Sequence, residues 1–61
     1  MYYITRKLTG KIVGRDVAED SLDLVLANLP AGVYGVEDSD GKELNVATVR
    51  AGRVVFQTGE G

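Results

Sequence analysis

Residues 16–29 are the one stretch of helical periodicity in a chain whose other segments have strand or turn character. A single short helix can cover only one side of a sheet, and that limit governs everything this chain can build. Ala18, Leu22, Val25, Leu26 and Leu29 are spaced to form one apolar helical face. Asp16 has N-cap chemistry, and Glu19 three residues later has capping-box spacing. Asp16, Glu19, Asp20 and Asp23 concentrate negative charge at the N-terminal end, where the helix dipole favours it. Pro30 disfavours helical geometry at Leu29, so the pattern predicts a helix of about three turns ending near Ala27 or Asn28.

On either side the residue types change. Tyr2 to Leu8 is rich in aromatic and β-branched residues and reads as a strand. Thr9-Gly10 has the chemistry of a two-residue hairpin turn, with residues 11–15 as the return strand. That register sets Leu8 opposite Lys11 and Lys7 opposite Ile12, so neither face becomes uniformly apolar. A single strand bent or bulged through Gly10 is the competing reading. After the helix, residues 32–37 form a strand, Asp38-Ser39-Asp40-Gly41 a turn, and residues 42–50 and 53–58 two strands joined by Ala51-Gly52. With Ala51-Gly52 as a two-residue loop, Ala47, Val49, Val54 and Phe56 share one face, while Val46, Thr48, Val55 and Gln57 share the other. The first face matches the helical stripe, which predicts Leu22, Val25, Leu26, Val49, Val54 and Phe56 as core, with Ala47 and Leu29 closing it.

The expected fold is therefore α+β, with one helix packed on a small antiparallel sheet in the order β(β)αβββ. Its 61 residues form one domain, residues 1–61, with Gly59-Glu60-Gly61 expected to fray. The N-terminal residues contain no apolar run of signal-peptide length and no stretch suits a membrane span, which predicts a cytoplasmic protein.

Chemistry is sparsely represented. The chain has no Cys, His or Trp, which excludes disulfides, Cys/His zinc sites, thiol nucleophiles and histidine acid–base catalysis. Asp38, Asp40 and Glu43 resemble the start of a calcium loop, but Lys42 falls at a ligand position and Val49 where the closing Glu belongs. The carboxylate pairs Asp16/Asp20 and Glu19/Asp23 lie on a short surface helix with no cleft to separate their acidities. Ser21 and Ser39 have no base suggested by spacing, and neither a phosphate loop nor a dinucleotide fingerprint is present. A non-enzymatic protein without cofactor or metal is expected.

Charge is segregated along the chain. Arg6, Lys7, Lys11 and Arg15 give residues 1–15 a charge of +4. Eight acids against Lys42 give residues 16–45 a charge of −7, and residues 46–61 carry +1. One consequence would be that the basic and acidic segments lie side by side and neutralise one another. Two candidate surfaces follow from the residue types. Asp16, Glu19, Asp20 and Asp23 form an acidic stripe suited to a basic protein partner, and Val46, Thr48 and Val55, joined by Ile12 or Tyr34, form an outer patch suited to self-association. Tyr2, Tyr3, Arg6, Lys7, Lys11 and Arg15 combine positive charge with rings, the residue types that neutralise phosphates and stack bases. A protein-binding module, such as an accessory subunit or inhibitor and a homo-oligomer, is the leading expectation. A nucleic-acid-binding module using the basic N-terminal segment is the alternative.

Overall fold

The computed structural model describes residues 1–58. Its elements are β1 (Tyr2–Arg6), β2 (Ile12–Val17), a 3-10 turn (Glu19–Ser21), α1 (Leu22–Ala27), β3 (Gly32–Glu37), β4 (Glu43–Arg50) and β5 (Arg53–Thr58). The five strands form one antiparallel sheet in the order β2-β1-β3-β4-β5, with α1 against one side. This is the expected α+β domain of one short helix on an antiparallel sheet. No helix among the described residues is long and apolar enough to cross a membrane. The expected fraying of residues 59–61 lies outside the described residues.

The β4–β5 hairpin has the register read from its turn, from Arg50 opposite Arg53 through Ala47 opposite Phe56. Ala51 and Gly52 take φ of 52° and 78°, the double positive φ that a type I′ turn requires. Left-handed geometry strains alanine but not glycine. Ala51→Gly is therefore expected to raise stability by about 0.5–1 kcal/mol, seen as a higher urea midpoint at unchanged slope.

At the N-terminus, residues 2–17 form a hairpin rather than one bent strand, but not through a two-residue turn. Lys7 to Lys11 make a longer loop, closed by the Arg6 N–H donating to the Lys11 carbonyl at 2.8 Å and the Gly10 N–H donating to the Arg6 carbonyl at 2.6 Å. The longer loop sets Ile4 opposite Gly14 and Tyr2 opposite Val17, so Ile4 and Val17 both face the helix. The tight turn would have paired Lys7 with Ile12 and offered no such face. The observed register needs two shifts, because three residues of β2 span two of β1 between those pairs, and two span one beyond them.

Those shifts correct the expected helix start. Asp16 is not an N-cap: it belongs to β2 and takes φ of 50°, the bulge that turns the next residue, Val17, into the core. The chain stays extended through Ala18, and helical structure begins with the 3-10 turn at Glu19 without a side-chain cap. Burying Val17 outweighs a cap worth only about 1 kcal/mol. The far end is as expected: the Asn28 side-chain amide donates to the Leu24 carbonyl at 2.7 Å, and Pro30 follows.

The core comprises Ile4, Val17, Leu22, Leu26, Tyr34, Val36, Ala47 and Val49, with Tyr2, Val25, Leu29 and Val54 packed at its margin. Val25 and Val54, expected as core, are thus only half-buried, and two further positions differ. Phe56 shares the helix side with Val54 but is 38% exposed, because it stands on an edge strand with no neighbouring strand beyond it among the described residues. Tyr34 is a core residue, not part of the outer patch. It lies opposite Ala47 and is 1% exposed, and its hydroxyl donates to the Pro30 carbonyl at 2.6 Å.

Candidate interaction surfaces

Antiparallel topology converts segregation along the sequence into segregation in space. At one end of the sheet lie the β1–β2 loop and the β4–β5 turn, carrying Arg6, Lys7, Lys11, Arg50 and Arg53. At the other lie the end of β2, the 3-10 turn and the β3–β4 turn, carrying Asp16, Glu19, Asp20, Glu37, Asp38, Asp40 and Glu43 beside Arg15 and Lys42. Neutralisation within the chain is slight. Among the described residues one salt bridge forms, between Lys7 Nζ and Glu43 Oε2 at 2.7 Å. It is half-exposed on both sides, a setting in which an ion pair contributes at most about 1 kcal/mol.

That bridge lies over Gly35 on the side of the sheet away from α1. A Cβ at Gly35 would sit 2.7 Å from Glu43 Oε2, 3.0 Å from Thr5 Oγ1 and 3.3 Å from Lys7 Cδ. The missing side chain leaves a trough in β3 across which β1 and β4 groups meet. A glycine inside a strand pattern signals such a close approach, and it is the sign that singles out Lys7 and Glu43 as neighbours.

Around the trough lies the outer face. Thr5 opposite Ile12, Val33 opposite Thr48, Gly35 opposite Val46 and Thr48 opposite Val55 put all these residues on the side without a helix. Ile12, Val33 and Val55 are exposed, Val55 at 52%, and Val46 and Thr48 are half-buried. Toward the basic end, Thr48, Arg50, Arg53, Val55 and Gln57 line a shallow cleft of about 360 Å³. A larger open cleft of about 600 Å³ is lined by Arg6, Lys7, Leu8, Ala31, Gly32 and Val33.

No family model matches this chain, and no curated protein or solved structure is significantly similar to it.

The acidic stripe is only partly assembled. Glu19, Asp20 and Asp23 are exposed along the 3-10 turn and the first turn of α1, whereas Asp16 stands on β2, so Asp16 and Asp20 are not an i, i+4 helical pair. The basic and aromatic set is divided by strand alternation. Tyr2 packs at the core margin on the helix side, Tyr3 lies opposite Glu37 on the outer side, and Arg6 lies opposite Tyr34 on the helix side. Lys7 is held by Glu43, Lys11 is in the loop, and Arg15 is on the outer edge strand toward the acidic end. These six residues do not form one surface. The Asp38 turn is self-satisfied, since Asp38 Oδ1 accepts from the Asp40 and Lys42 N–H groups at 2.9 and 3.0 Å.

Proposed function

We propose that this chain is a small non-enzymatic protein-binding module that self-associates through the outer face of its sheet. The observation that carries this reading is the one-sided cover: α1 packs on one side, and Ile12, Val33 and Val55 remain exposed on the other. The N-terminal strands do not fold over that side, because β1 pairs with β3 and extends the sheet instead. Exposed apolar side chains gathered on one uncovered side of a sheet mark a contact surface.

A second copy suits the patch by charge. A two-fold axis parallel to the sheet, just outside its outer face and perpendicular to the strands, lays each outer face on the other. It brings the Arg50 and Arg53 end of one copy over the Glu37 and Glu43 end of its partner. Two-fold homodimers are the commonest soluble oligomers, and opposed charges set the orientation of docking. Glu19, Asp20 and Asp23 stay free on the far side of such a dimer, available to a basic partner protein, as an accessory subunit or inhibitor requires.

Val33→Lys tests this reading, since Val33 lies on the outer side of the central strand. Sedimentation equilibrium is expected to show the wild-type chain associating above its 6.5 kDa monomer mass as concentration rises, and the variant reaching a smaller mass than the wild type at the same concentration. The variant is also expected to melt at lower temperature, having lost the support of association. A variant that associates like the wild type overturns the outer face as the contact. Binding of single-stranded nucleic acid that weakens steeply with salt would replace it with the phosphate-directed alternative.

A further inference from the structure

The sheet has two edges, and only one of them is protected. β2, at one edge, pairs with β1 through two register shifts, takes φ of 50° at Asp16 and carries Arg15 and Asp16. Bulges and charges of this kind stop an edge from templating another strand. β5, at the opposite edge, pairs residue for residue with β4 from Arg53 to Thr58 without a shift. It contains no glycine or proline, and Arg53 is its one charge.

Its backbone polarity follows from the turn. Arg50 and Arg53 flank a two-residue loop and so form a hydrogen-bonded pair, and the bonding alternates from there. Val55 therefore turns its N–H and C=O toward β4, whereas Val54 and Phe56 turn theirs toward the open edge. The Phe56 side chain lies on the helix side beside the core and is exposed at the margin of this edge strand.

We propose that β5 is a strand-pairing edge whose occupant is β5 of a second copy, antiparallel across a two-fold axis through Val55 and normal to the sheet. In this register Val54 lies opposite the partner's Phe56, and each such pair exchanges two backbone hydrogen bonds. Both residues are on the helix side, so the two cores join over a continuous sheet and Phe56 gains an apolar neighbour. On the outer side Val55 meets the partner's Val55, and Arg53 meets the partner's Gln57. Shifting the axis to Phe56 would instead oppose Val55 with Gln57, and an axis between residues would turn one helix to the wrong side. The register is selected by apolar matching, and the contact is separate from the outer-face docking proposed above.

Disulfide trapping reads this register directly, because the chain has no cysteine of its own. Val55 is a non-hydrogen-bonded position across the new interface, with Cα atoms about 4.5 Å apart, within reach of a disulfide. Val55→Cys in a glutathione redox buffer is expected to give a covalent dimer. Adding Phe56→Pro removes an outward N–H that makes no bond within the monomer, so the fold persists while dimer yield falls at least about tenfold. Phe56→Lys, which keeps the amide and charges the edge, is expected to have the same effect and replaces the proline variant if that fails to fold. Adding Val33→Lys is expected to leave the yield unchanged. Absence of the dimer at millimolar protein, or a yield indifferent to both Phe56 variants, overturns edge pairing. A yield abolished by Val33→Lys also overturns it, by showing that outer-face docking had brought the thiols together.

Discussion

Leu26→Ala is expected to lower stability by about 2–5 kcal/mol, enough to unfold most of the protein at room temperature. Leu26 is 0% exposed in the last turn of α1, where it packs into the core, and the truncation opens a cavity that neither the helix nor the sheet can close. A single core in a chain of this size supplies roughly 3–5 kcal/mol in all. Urea denaturation followed by far-ultraviolet circular dichroism measures the loss. A midpoint equal to that of the wild type would contradict the packing of α1 on the sheet.

Tyr34→Ala is expected to be as damaging, at about 3–5 kcal/mol, because removal of the buried ring leaves Val36, Ala47 and Val49 without a neighbour of that size. Tyr34→Phe separates the ring from the hydroxyl. It keeps the ring and removes only the hydrogen bond to the Pro30 carbonyl, so its cost is expected near 1 kcal/mol. Equal losses in the two variants would show that tying Pro30 to β3, rather than filling the core, is what Tyr34 contributes. The hydrogen bond holds the exit of α1 against the sheet, four residues away along the chain.

The pattern of correct and corrected expectations follows from how local each signal is. The β4–β5 hairpin was legible to the residue, because a two-residue turn with Gly52 leaves one register for the valines on either side. The helix stripe was legible for Leu22 and Leu26, since period 3.6 identifies a face wherever the helix begins. Its start was not legible. Asp16 and Glu19 have capping chemistry, but Val17 is claimed by a long-range contact with the core, and a bulge at Asp16 delivers it there. Competition between a local cap and distant burial has no signature in residue spacing. The β1–β2 turn failed for the same reason, since Ile4 and Val17 set the register from inside the core while Thr9-Gly10 advertised a tighter loop.

The surfaces were legible in part. Alternation along β4 and β5 correctly separated Val46, Thr48 and Val55 from the core side. It could not decide the side of Tyr34, whose orientation depends on pairing with both β1 and β4. The basic and acidic segments were evident as charge runs. Their separation to opposite ends required the strand order, because residues 6–11 and 50–53 come to the same end of the sheet only when β1, β3, β4 and β5 line up. The edge at β5 likewise becomes visible only once β2 is known to occupy the other side of the sheet.

Methyl chemical shifts, followed from dilute to millimolar protein, test the outer face as the contact surface most directly. The methyl groups of Ile12, Val33, Val46 and Val55 are expected to move together along one binding curve. Those of Leu24, which is exposed on the far side of α1, are expected to stay still. Shifts at Leu24 with Ile12 and Val33 unmoved would contradict the outer face as the surface through which this chain associates.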